Sequence, residues 1–353
     1  MASANPSNIS SSVEPPILPS FTDLILSRVK ALVRFGSFLE NPIGHDALAK
    51  IALETERLGF DSVWLEDHLV VTPGSQYMKR HKVIPLSVMA PSLLECWTTL
   101  SWLAGQTHRI RLGTLVTCNL FRSPSLLAKM ACTFDVLSNG RLELGLGAGY
   151  WKPEFEMYGI PLPGHRERID RLAEGIRIVK SMCSSETADF AGKYYTVKEA
   201  LNNPKPVQKP HPPITIGGRS TPVMKLAAQL ADSWNFPAPF SLTAEEYAEI
   251  VGTFDDHCRE AKRSPTAVVK SLGVRCLIDR NEKKARERAR QFRPEWESME
   301  DFMKRPIGTP EQIIEKLTAL KDKGANYFIV HFYEPADLTA LQLFAEEVIP
   351  ALR

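Results

Sequence analysis

The run Gly140-Arg-Leu-Glu-Leu-Gly-Leu-Gly-Ala-Gly-Tyr-Trp151 (GRLELGLGAGYW) decides between two folds. Residues 142–146 read as a short buried strand, with Gly145, Gly147 and Gly149 at its end. In an open, doubly wound sheet that spot would hold a dinucleotide fingerprint, G-x-G-x-x-G, running directly into a helix. Here the spacing is G-x-G-x-G, and Trp151-Lys152-Pro153 follows where the helix should begin. The run also stands fourth, not first, among the strand-like segments of the chain.

Outward from it, strands and helices alternate. On the N-terminal side, strands are predicted at 33–39, 62–66 and 110–117, and helices at 46–58, 93–104 and 124–137, the last opening on a proline tolerated in a first turn. On the C-terminal side come strands at 214–216, 233–236, 270–278 and 327–332. Helices at 164–182, 221–231, 242–261, 281–292, 309–323 and 338–352 fall between and after them. An insertion interrupts the alternation between 188 and 213, with a hairpin-like piece at 190–197 and prolines at 204, 206, 210, 212 and 213. Eight strands separated by helices, with no antiparallel hairpin needed in the frame, predict an α/β fold. It is a single (β/α)8 TIM barrel with insertions, spanning residues 32–353. The start of the chain, rich in Ser, Pro and Asn over residues 1–20, cannot offset its ordering entropy, so 1–31 are expected to form a flexible N-terminal extension.

Composition narrows the function classes. Of 353 residues, 44% are hydrophobic and 24% charged, which excludes wholesale disorder and fibrous structure. Forty-three Lys and Arg against 41 Asp and Glu leave a net charge of +2 spread along the chain, so nucleic acid is not an expected partner. No window reaches the roughly 18 uninterrupted apolar residues of a membrane span, and no basic-then-apolar leader opens the chain. Six scattered cysteines without a C-x-x-C pair support neither a disulfide framework nor a zinc site. The expectation is a cytoplasmic protein with no metal and no membrane partner.

In such a barrel the chemistry sits at the C-terminal ends of the strands. Asp67-His68 closes the second strand with two polar residues, where an imidazole can exchange a proton while the adjacent carboxylate sets its charge. A helix cap beside a satisfied rim histidine would look the same. Gly217-Gly218-Arg219-Ser220 ends another strand and opens a helix near Pro222, so backbone N–H groups and the helix N-terminus can attract a phosphate, with Arg219 adding a fixed charge. A tight turn that needs glycine would read identically. His331, at the end of the last strand, stands second to His68. Trp97, Trp102, Trp234 and Tyr158 are read mainly as packing.

With its neighbours, the 140–151 run is similar to the central signature of the bacterial luciferase-like oxidoreductases, and Pro153-Glu154, Tyr158-Gly-Ile160 and Arg166 to Glu174 continue it. Gly59-Phe-Asp-Ser-Val-Trp-Leu-Glu-Asp-His68 resembles the end of that family's second strand. Leu112-Gly-Thr-Leu-Val116 through Arg122-Ser-Pro124 resembles its third. Pro204-Lys-Pro-Val-Gln208 through Ile216-Gly-Gly218 to Ala231-Asp-Ser-Trp-Asn235 resembles its phosphate-site segment. The likeness runs from Val33 to the C-terminus in family order. It implies an oxidoreductase that transfers a hydride between the deazaflavin coenzyme F420, or reduced FMN, and a small organic substrate. The alternatives are an FMN-dependent monooxygenase that activates O2 and a barrel that binds flavin without catalysis.

Carried onto this chain, the resemblance makes Asp67 and His68 the catalytic pair. It makes Thr114, Leu115 and Val116 ring contacts, Gly147 and Gly149 places of close backbone approach, and Gly217, Gly218, Arg219 and Ser220 the phosphate site. The family often has a non-proline cis peptide at the position of Leu115-Val116, although backbone energetics alone default to trans, because cis costs about 3 kcal/mol. Two positions depart. The family's deazaflavin dehydrogenases of sugar phosphates and secondary alcohols tend to carry a Trp four residues after the histidine and a Glu directly after the last glycine. Here those places hold Thr72 and Tyr150, so those substrates are not implied. A homodimer is implied by likeness alone, and the substrate is left to loops 71–91 and 188–213.

Overall fold

The computed structural model describes residues 32–39, 44–70, 93–237, 241–295, 297–334 and 338–353. The expected extension at 1–31, the loop at 71–91 and Thr72 lie outside them. All eight predicted strands form, and we number them β1 (Arg34–Leu39), β2 (Ser62–Leu65), β3 (Arg111–Thr114), β4 (Leu142–Gly147), β5 (Ile214–Gly217), β6 (Ser233–Pro237), β7 (Val269–Ile278) and β8 (Tyr327–Phe332). They pair in parallel in that order. The register Arg34↔Tyr327 to Ser37↔Val330 joins β8 back to β1, and the barrel closes.

Local sequence explains most of the helix boundaries. Pro124 opens the helix Pro124–Leu137 behind Ser123, whose hydroxyl accepts from Leu126 N. Thr309 caps Pro310–Asp322 in a reciprocal box with Gln312, as Thr243 does for Ala244–Glu260 with Glu246. The one strand that departs is the third. Residues 110–117 were expected as a single run, but β3 stops at Thr114 and pairing with β4 resumes at Thr117–Cys118. The intervening Leu115-Val116 peptide is cis.

Of the three regions of core that result, two frame the barrel. Between sheet and helices, a continuous apolar layer packs one face of the strands, including Leu65, Leu112, Leu144 and Ile216. Inside the barrel, Phe38, Trp64, Tyr327 and Ile329 form a smaller cluster. Below them, where the strands begin, Glu143 accepts from Arg34 and from Arg111 Nε (2.7 Å), while Tyr327, Ser62 and Trp64 continue the network through the Ser62 hydroxyl. Burial opposes charge on Glu143, but the two guanidiniums hold its carboxyl below the usual carboxylate range.

The insertion forms the expected hairpin, as antiparallel strands Thr187–Ala191 and Thr196–Leu201 in which Phe190 faces Val197. The proline-rich return then passes under the barrel. Gln208 donates to Asp135 from its backbone N (2.9 Å) and Nε2 (2.7 Å), and accepts from Arg111 Nη2 (2.8 Å). Pro204 to Gln208, implied by resemblance as part of a phosphate site, therefore sits at the strand-start end. The six cysteines are free and buried. No helix among the described residues is long and apolar enough to cross a membrane.

Candidate active site

A cavity of about 750 Å³ opens where the strands end. Asp67, His68, Leu115, Val116, Gly147, Gly149, Gly217, Gly218, Arg219 and Ser220 all line it. Thr114 does not. It is fully buried, and its hydroxyl donates to Gly145 O (2.8 Å) and accepts from Gly145 N (3.1 Å), so it ties β3 to β4 rather than facing a ligand.

The glycines expected to admit a cofactor first of all admit Val116. A Cβ at Gly147 would come 2.4 Å from Val116 Cγ2, and one at Gly217 would come 2.8 Å from Val116 Cγ1. At Gly218, φ is +146° and a Cβ would meet Val223 Cγ1 at 2.8 Å, so backbone and space both require glycine. Its N–H donates to Asn235 O (3.1 Å) and is committed to the barrel. The anion-attracting groups are those that follow. Ser220 stands at the N-cap of Thr221–Leu230 without a side-chain cap hydrogen bond, and Arg219 and Val223 line the same wall. A ring-bearing phosphate ester fits this arrangement: a cavity of flavin size, a glycine-lined wall and an uncapped helix start.

Asp67 and His68 part company. The Asp67 carboxylate, 4% exposed, accepts a bidentate fork from Arg122 (2.6 and 3.0 Å) and the backbone N–H of Cys118 (3.0 Å). The carboxylate bonded to the imidazole belongs instead to Glu154, whose Oε1 and Oε2 lie 3.2 and 3.1 Å from His68 Nδ1. Glu154, 1% exposed, also accepts from the backbone N–H of Leu69. Burial alone would lower the imidazole's pKa, but the Glu154 hydrogen bond and the charges of Glu66, Glu154 and Asp67 raise it above the ordinary histidine value. The ring therefore holds its proton more tightly than an ordinary histidine. Tyr150 and Trp151 meet the imidazole edge-on, each with centroids 5.9 Å away.

Sequence reasoning missed Arg122 as the partner of Asp67, and read Glu154 as a helix-start carboxylate as readily as a proton donor. It also did not name Phe38, Arg168 or Arg275, which line the cavity. His331 does reach it, stacked on Phe38 with centroids 4.1 Å apart. The four aromatic residues read mainly as packing stay out of the lining. Trp97 donates to Thr117, Trp234 stacks on Phe254 and donates to Gly218 O, Tyr158 donates to Leu69 O, and Trp102 is exposed. Among the described residues, no group of three or more His, Cys, Asp or Glu side chains converges as a metal site.

Residues 29–306 match the family model described as luciferase-like monooxygenase. An F420-dependent glucose-6-phosphate dehydrogenase from Amycolatopsis mediterranei (strain U-32) is 27% identical over 334 residues, covering 87% of this chain and 94% of that protein. An FMNH2-dependent dimethylsulfone monooxygenase from Pseudomonas putida is 28% identical over 269 residues, covering 65% and 71%. Among solved structures, an F420-dependent secondary alcohol dehydrogenase with an F420-acetone adduct superposes with a TM-score of 0.76 at 20% identity, covering 91% of this chain and 99% of that one.

Proposed function

The chain belongs to the luciferase-like monooxygenase family and is an oxidoreductase of that class, and from that premise we propose that it moves a hydride between a deazaflavin and the carbonyl or alcohol carbon of a small organic substrate, with His68 handling the proton. The observation that carries this reading is the convergence on one cavity of His68, Leu115, Val116 and the Gly217–Ser220 turn. A bound deazaflavin or flavin supplies the hydride. Val116, with Gly147 and Gly217 behind it, would shape the wall for the ring; Arg219, Ser220 and the start of Thr221–Leu230 would hold a phosphate. In carbonyl reduction His68 would give a proton to the substrate oxygen, and in alcohol oxidation it would take one from the hydroxyl. Phe38, Phe121 and Phe155 line the cavity and limit water at the reacting centre.

A second reading, an FMN-dependent monooxygenase, is favoured by the Pseudomonas putida relative. Reduced deazaflavin donates hydride without readily activating O2, whereas reduced FMN does activate it, so the cofactor separates the two. The test is titration of the purified protein with each cofactor, followed by anaerobic and aerobic turnover on a panel of ketones and alcohols. Saturable deazaflavin binding with anaerobic reoxidation by a carbonyl compound is the expected result. Oxygen uptake with reduced FMN alone would replace it by the second reading, and binding without any turnover would leave a flavin-binding barrel. We extend the proposal to a homodimer in the cytoplasm, to be checked by light scattering and fractionation.

A further inference from the structure

The contact between His68 and Glu154 has a chemical direction. An ionised carboxylate can only accept hydrogen bonds, so a proton must sit on His68 Nδ1 whether the ring is neutral or charged. Nε2 is then the nitrogen left to gain or lose a proton. We propose that Glu154 is the positioning residue of this site, fixing the tautomer and orientation of His68 and holding the imidazole ready as a proton donor. This rests on the reading of His68 given above and adds to it a residue 86 positions away in the chain.

The charges around the imidazole assign this role to Glu154 rather than to a nearer carboxylate. Glu66 and Asp67 come from the end of its own strand, and Tyr150 and Glu154 from the segment after β4. Asp67 is occupied by the Arg122 fork and by Cys118 N–H. Glu66 acts on the ring through its charge. Glu154 combines a direct bond to Nδ1, near-complete burial and the Leu69 N–H on its Oε1, which holds the carboxylate in place. Burial makes an uncompensated carboxylate costly, so the proton on the ring and the charge on Glu154 support each other. A purely structural role, tying the turn at 68–70 to the helix Lys152–Met157, would satisfy the same backbone bond without constraining the ring.

Nitrogen-detected NMR on the uniformly 15N-labelled full chain separates the two, with His68→Ala used to assign the signals. In the wild type, His68 should be the Nδ1–H tautomer when neutral and should titrate above the ordinary histidine value of about 6.5. In Glu154→Gln, which keeps the shape and removes the charge, the titration should fall by about one unit or more, and the alkaline limb of the single-turnover pH profile for carbonyl reduction should move down with it. An Nε2–H tautomer in the wild type, or a titration at or below 6.5, would overturn the proposal without any variant. So would an unchanged His68 titration in folded Glu154→Gln. Unimpaired single turnover by His68→Ala would instead remove the catalytic role of His68 while leaving the NMR result intact, so the two failures are distinguishable.

Discussion

Both ends of the barrel bury a carboxylate against a base, but they do so with different bases. At the strand starts, Glu143 is held by Arg34 and Arg111, whose guanidiniums stay charged at any pH the fold survives. At the mouth, Glu154 is held against His68, an imidazole, the side-chain type whose ordinary titration lies near neutrality. The lower trio is a permanent clamp across β1, β3 and β4. The upper pair can give up a proton and take it back. In a fold whose chemistry sits at the strand ends and whose stability sits at the strand starts, the choice between arginine and histidine as partner marks which end does which.

This contrast can be broken by substitution. The largest effect is expected from Glu143→Ala, which leaves two guanidiniums around an empty buried site; it should cost about 3–5 kcal/mol in denaturant unfolding, and folded molecules should still bind cofactor. Next, His68→Ala should slow single-turnover hydride transfer about a hundredfold to ten-thousandfold with cofactor affinity kept. If instead Glu143→Ala struck turnover and His68→Ala struck stability, the division between the two ends would be wrong. Gly217→Val, which drives a side chain into Val116, should weaken cofactor binding about tenfold or more, measured by fluorescence titration. Arg219→Ala should weaken it only a few-fold, more at low salt than at high salt if its charge is what binds.

The smallest effect sharpens the comparison by pH. The folded pKa of His68 lies above its unfolded value, so its contribution to stability is fully present below about pH 6.5 and is lost as pH rises through the raised folded value. The stability gap between wild type and His68→Ala should therefore shrink between about pH 6 and about pH 9. That between wild type and Glu143→Ala should stay level, since both of its partners are arginines. Urea midpoints at the two pH values decide it.

Much of this was legible beforehand, and the reasons differ by element. Apart from β3, the strands were recoverable within a residue or two because each is a run rich in apolar residues flanked by turn residues, as at Asp61-Ser62. The break at Leu115-Val116 leaves no mark in hydropathy, so periodicity joined β3 to Thr117. Residues that share one loop or turn, such as Gly217 to Ser220, were found together because chain connectivity holds them together. The partners were not. Arg122 lies 55 residues from Asp67, and Glu154 lies 86 from His68, so only the closure of the barrel brings them into contact. Glu143 did leave a signal: a charge between leucines in a fully buried strand demands compensation, although nothing local names Arg34 and Arg111 as its source.

The packing of Val116 ties its identity to that of two residues on other strands. Because both Gly147 and Gly217 are kept small by its methyl groups, the three positions form one epistatic unit, in which the effect of a change at one depends on what occupies the others. Gly217→Ala alone should be harmful, but after Val116→Ala it should become tolerable or favourable, a reversal of sign rather than a sum. Directed evolution that explores these positions singly would find each of them immutable. Libraries that vary Val116 together with Gly147 and Gly217 would open the wall of the cavity to new ligands.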